Sequence, residues 1–267
     1  MARYILLLFL VGLTACKNLY DSTADTTSDE AMLFKMERYL NDFLWDDAID
    51  VYGELSIDTQ SEREPKTLYV SALMGRCGFE FISFVNSISD DLDSGSNLFP
   101  LLLSAMPDAT SSKVNDCIVA NTQIQEIITD HGAQTSDYNM SVLNGLARMG
   151  ILVNQSAADA SNNLDPAFDP CDSGDMSDAN VRQLVSAFAR VINDIGSSSL
   201  SFLGTSLDGL CDPGDVLEVA GVCDATDASS VTPAQICGMR ALMNESSSIG
   251  FGTCTGDVAT CACAVCP

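Results

Sequence analysis

The sequence predicts an all-α protein, built of antiparallel helix hairpins and closed by a disulfide-rich C-terminal region. Three observations carry that expectation. Apolar residues recur at helical spacing along most of the chain. No stretch alternates polar and apolar residues for long, as a half-buried strand would. Eight of the eleven Cys lie after residue 170, so the two halves are expected to hold together differently: a hydrophobic core in the first, cross-links in the second. The expected organisation is a signal peptide at 1–15, a flexible tether at 16–28, a helical domain at 29–153, an acidic linker at 154–178, and a helical, cysteine-rich region at 179–267.

Arg3 precedes nine largely apolar residues, Ile5 to Leu13, and Leu13-Thr14-Ala15-Cys16 follows. A basic start, a short apolar run and small residues are the plan of an export signal. The run is too short to span a bilayer, which takes about 20 apolar residues. Leu13-Thr14-Ala15-Cys16 resembles the lipobox of bacterial lipoproteins. That resemblance implies cleavage before Cys16, acylation of its thiol and amine, and a membrane anchor on a chain that does not span the membrane. Lys17 stands where an Asp would favour retention in the inner membrane, so the resemblance points to the outer membrane, on the periplasmic side.

Residues 17–28 are polar and read as the tether. Ser28 or Asp29 can cap a helix carrying Met32, Met36, Tyr39, Leu40 and Phe43, and after a break at 41–44 a second helix carries Trp45, Ala48, Ile49, Tyr52 and Leu55. Pro65 suits the first turn of a third, with Leu68, Ala72, Leu73 and Cys77 on one face and Phe81, Ile82, Val85 and Ile88 continuing it. Paired helices with a short loop make an αα-hairpin, and this one resembles a tetratricopeptide repeat (TPR). Tyr39, Ala48 and Tyr52 match the aromatic of the first helix and the small residue and aromatic of the second. Met36 replaces the usual Gly of that pattern. The resemblance implies that Ala48 lets the paired helices approach closely.

Further helices are expected around Pro100, from Ser111 or Ser112 to His131-Gly132, and from Tyr138 to Val153, the last weakened by Gly145 and Gly150. Val181, Leu184, Val185, Phe188, Ile192 and Ile195 give the clearest amphipathic helix. Thr232-Pro233 opens a last one.

Removal of residues 1–15 leaves 252 residues with 11 basic and 37 acidic side chains, a net −26. So few cations exclude a nucleic-acid-binding surface. Apart from Cys16, the ten Cys are Cys77, Cys117, Cys171, Cys211, Cys223, Cys237, Cys254, Cys261, Cys263 and Cys266. An even number in an exported chain predicts disulfides. Cys77 and Cys117, alone in the helical half, are expected to pair. At least one of Cys254, Cys261, Cys263 and Cys266 is expected to reach back to Cys211, Cys223 or Cys237. Tail thiols at such spacing can also hold zinc or copper, but an oxidising compartment favours disulfides.

Asp169, Asp172, Asp175 and Asp178, and Asp208, Asp212 and Asp215, could gather around calcium; neither run has EF-hand spacing, and solvated loop acids are the simpler account. His131 is the single His, and no nucleophile elbow, phosphate loop or metalloprotease motif occurs. No catalytic, metal or cofactor site is therefore expected. The expected function is a lipid-anchored protein-interaction or scaffold component of the cell envelope, whose partner is another envelope protein. The alternatives are a solute-binding lipoprotein of a transport system and a carboxylate-based hydrolase.

Overall fold

The computed structural model describes residues 27–80, 84, 97–200, 211, 220–246, 249–255 and 258–263. The signal, Cys16, most of the tether, Cys266, and Asp208, Asp212 and Asp215 lie outside the described residues, as do Phe81, Ile82, Val85 and Ile88.

Helix α1 (Asp29–Asn41) starts where the extended Ser28 accepts the Ala31 amide at 3.3 Å, with Asp29 and Glu30 in the dipole-favoured first turn. A turn with Phe43 at φ 59 leads into α2 (Trp45–Glu54). Phe43 was expected on the buried stripe of α1; it falls beyond the helix end and is 71% exposed. Ser56 then caps a single turn, α3 (Ile57–Gln60), while Thr59 donates to Asp29 at 2.6 Å and ties that turn to the start of α1. Helix α4 (Arg63–Cys77) carries Pro65 in its first turn and stops at Gly78, whose φ of 104 is left-handed.

Helix α5 (Leu98–Ala105) is short and mostly buried. Thr110 caps α6 (Ser111–His131), which ends before Gly132. Helix α7 (Thr135–Ala157) opens with a capping box between Gln134 and Asp137. Ser177 caps α8 (Asp178–Ile195). A 3-10 turn (Ala228–Ser230) precedes α9 (Pro233–Asn244), where Thr232 and Gln235 form a second capping box and Pro233 sits in the first turn. No strand occurs among the described residues; one isolated bridge joins Ala158 and Leu164. No described helix is long and apolar enough to cross a membrane.

Helix α7 is the centre of the packing, with α8, α5 and α6 against it and α4 against α6. It runs unbroken through Gly145 and Gly150. A Cβ at Gly145 would stand 2.6 Å from Val191 Cγ2; one at Gly150 would stand 2.6 Å from Met106 Cγ and 2.8 Å from the Leu102 carbonyl. The glycines are there for close approach of neighbouring helices, which offsets their low helix propensity.

One hydrophobic core extends from Val70 on α4 to Ile249 beyond α9, and a smaller cluster joins Met36, Ala48, Val51 and Ala72. The C-terminal region thus shares the core of the helical half and does not rely on cross-links alone. Residues 154–178, expected as a linker, fold onto the same body. Phe168 and Met176 are buried, and the loop wraps Arg240, which is 3% exposed and donates to the carbonyls of Pro170 (2.5 Å) and Met176 (2.8 Å) and to Asp178 (2.9 Å). Downstream, Asn97 donates to the Gly250 carbonyl at 2.8 Å and the Phe99 amide to Ile249 at 3.0 Å, closing the tail over α5.

Disulfides join Cys77 to Cys117, Cys171 to Cys263, Cys211 to Cys223 and Cys254 to Cys261, and Cys237 is also disulfide-bonded. One tail cysteine, Cys263, reaches back to Cys171, which was not among the expected partners. Arg240 draws the 170–178 loop over α9, and Asn244 on α9 donates to the Cys261 carbonyl at 3.0 Å and lies 3.7 Å from Cys171 Sγ. The loop and the tail are therefore neighbours although 92 residues separate their cysteines.

Candidate functional site

Polar residues recur along α6 at Asn121, Thr122, Gln125, Glu126, Thr129 and Asp130, beside its apolar face. That spacing sets a polar stripe along one side of the helix. The stripe faces Arg148 of α7 and Gln183, Ser186 and Arg190 of α8, and residues 226–229 close the end. Together they line a cleft of about 580 Å³.

Arg148 is among the largest fully buried side chains, at 1% exposure. Its Nη2 donates to the Gln183 carbonyl (2.9 Å), Gln183 Oε1 (3.2 Å) and Ser186 Oγ (3.3 Å). Among the described residues its Nε has no partner, and neither have Arg190 Nε, Gln125 Nε2 or Asn121 Oδ1, all buried on the cleft wall. One turn before Arg148, both amide atoms of buried Asn144 are unpaired among the described residues. Buried polar atoms are nearly always partnered, and each exception costs about 1–3 kcal/mol. Burial, and then the charge of Arg190, pull Arg148 down to about 10, so it remains protonated at neutral pH.

The acids at the cleft have other partners. Lys66 Nζ meets Glu126 at 3.1 Å and Asp130 at 3.4 Å. The Asp227 carboxylate accepts the Ser229 amide (2.8 Å) and hydroxyl (2.9 Å), which hold it below the ordinary carboxylate range. No ion pair of Arg148 or Arg190 occurs among the described residues. The arrangement can therefore supply hydrogen-bond donors and positive charge to a ligand. No sequence motif marks it. The legible signal is the polar stripe on α6 and two Arg placed inside otherwise well-packed helices.

The residues singled out by the TPR resemblance come together where α1 packs against α2. Ala48 is wholly buried among Met36, Val51 and Ala72, with Tyr39 and Tyr52 packed against that cluster. Tyr52 stacks on Tyr69 at 4.1 Å between ring centroids and donates its hydroxyl to the Gln60 carbonyl at 3.0 Å. Gly75 on α4 admits Trp45 so closely that a Cβ there would lie 2.5 Å from the indole ring. The same N-terminal segment holds four exposed large apolar side chains: Phe34 (71%), Phe43 (71%), Leu44 (43%) and Ile57 (84%).

His131 ends α6 with Nε2 3.0 Å from the Ser61 carbonyl, a contact that ties α6 to the turn before α4. The loop acids are occupied locally: Asp169 accepts the Cys171 amide, Asp172 the Gly174 amide, Asp175 the Asp169 amide, and Asp178 the Arg240 guanidinium. Among the described residues no three His, Cys, Asp or Glu side chains converge as metal ligands. No family model, curated protein or solved structure matches the chain.

Proposed function

We propose that the chain is a lipoprotein of the cell envelope, anchored through Cys16 to the outer membrane on its periplasmic side, that acts by holding another envelope protein and not by catalysis. The observation that carries this reading is where its exposed large apolar residues lie. Phe34, Phe43, Leu44 and Ile57 all fall within the first 31 described residues, on the hairpin nearest the tether. Scattered exposed apolar residues are ordinary, but their confinement, among the described residues, to one short segment supports reading it as a surface kept for contact. Their acidic surroundings, Glu30, Glu37, Asp42, Asp46, Asp47 and Asp58, are repelled by anionic headgroups, which favours a protein over the lipid surface. The burial of Ala48 between α1 and α2, flanked by Tyr39 and Tyr52, supports reading this hairpin as a TPR-like unit, a scaffold whose packed faces suit protein partners.

The test is photocrosslinking in intact cells, with a photoreactive residue at position 34, 43 or 57 and, as control, at exposed Ser136. A discrete adduct at the hairpin positions that is missing from the control is expected, and its mass spectrum names the partner. No adduct at any of the three would contradict the reading.

A further inference from the structure

The cleft between α6, α7 and α8 concentrates unpaired positive charge inside a chain of net charge −25. Arg148 and Arg190 both line it, and neither has a carboxylate partner among the described residues. In a chain with 37 acidic residues, two neighbouring arginines with no ion pair among the described residues stand out. The nearby acids are engaged elsewhere at contact distance: Glu126 and Asp130 share Lys66, and Asp227, although it feels the charge of Arg190, accepts its hydrogen bonds from Ser229. The unpartnered atoms on the wall are chiefly donors, Arg148 Nε, Arg190 Nε and Gln125 Nε2, with one acceptor, Asn121 Oδ1. An excess of unpartnered donors over acceptors on this wall matches a ligand that brings acceptors and negative charge.

We propose that this cleft binds a small solute through a carboxylate or phosphate group, held by the guanidiniums of Arg148 and Arg190, with the Gln125 amide as a further donor. The shared chemistry is the oxyanion. Guanidinium is suited to it because its planar array of N–H groups can donate two parallel, charge-assisted bonds. A volume of about 580 Å³ falls within the range of small-molecule sites. The amide of Asn121 and the hydroxyls of Thr122 and Thr129 continue the wall, so the rest of the solute is expected to be polar. This goes beyond the partner-binding reading, which rests on other residues and can fail without touching it.

The test is isothermal titration of the mature protein with inorganic phosphate, succinate and, as a neutral control, glucose. Saturable binding of phosphate or succinate, and none of glucose, is expected; which of the two binds identifies the oxyanion. Arg190→Gln should weaken that binding about tenfold or more, the loss for one charge-assisted hydrogen bond. Arg148→Gln should do the same where it folds. Arg38→Gln, on exposed α1, removes the same charge far from the cleft and should leave the affinity unchanged. Failure of both anions to bind, an affinity unchanged in Arg190→Gln, or an equal loss in Arg38→Gln would overturn the proposal.

Discussion

Gly150→Ala and Gly53→Ala are the same chemical change on two helices, and the structure gives them opposite signs. In either helix the added methyl lowers the backbone entropy of the unfolded chain and improves helix propensity, a gain of about 0.5–1 kcal/mol. At Gly53 on α2 nothing lies within 4 Å of the new Cβ, so the gain stands alone. At Gly150 the new Cβ meets Met106 Cγ at 2.6 Å, Met106 Cβ at 3.2 Å and the Leu102 carbonyl at 2.8 Å. The Met106 side chain can turn away, but the carbonyl belongs to α5 and moves only with that helix. Overpacking of this kind costs about 1–3 kcal/mol, which exceeds the propensity gain and leaves Gly150→Ala about 1–2 kcal/mol less stable. For a chain of this size the melting temperature should fall by about 3–6 °C in Gly150→Ala and rise by about 1–3 °C in Gly53→Ala. Thermal unfolding followed by circular dichroism measures both. A rise in both variants would show that α5 and α7 do not approach as described, and the reasoning from Cβ contacts would be refuted.

Two further perturbations follow from the helical body. Removing the Cys77–Cys117 bridge with a double Ala substitution frees a loop with a sequence separation of 40, for which loop entropy alone gives about 4 kcal/mol at 25 °C; urea unfolding should show at least that loss, and unchanged stability would mean that the thiols are unpaired. Burial, with Tyr69 and Glu126 adding to it, raises the Tyr52 hydroxyl from 10.0 to about 12. The unfolded chain ionises first, so the stability that Tyr52 contributes is complete below pH 10 and is lost as pH rises towards 12. Tyr52→Phe should flatten that decline in urea midpoints taken across the interval, and an unaltered slope would place the phenol in water.

Helix existence was legible where amphipathic spacing and caps agreed. Val181 to Ile195 shows the period, and Ser177 supplies the cap of α8. Thr232-Pro233 with Gln235 marks the start of α9 as clearly. What escaped the sequence depended on neighbours distant in the chain. Gly145 and Gly150 read as breakers because propensity is local, whereas their use is set by Val191 and by Leu102 and Met106. The pairing of Cys171 with Cys263 follows from Arg240, whose burial under the 170–178 loop has no local signature. Phe43 fits the helical period but lies past a helix end that the turn at Asp42 imposes. The cleft was the least legible part. Arg148 and Arg190 sit in helices whose neighbours are apolar, and only the three-dimensional packing brings them beside the polar side of α6.

The proposed function rests most heavily on Cys16 as a lipidated N-terminus, since such an anchor would place the N-terminal helices and the cleft in the envelope. Feeding cells labelled palmitate and isolating the protein tests it directly. The wild type should carry the label, begin at Cys16 and fractionate with outer membranes, while Cys16→Ser should be unlabelled and released from them. Equal labelling of the two, or an unlabelled wild type free of membranes, would contradict the account.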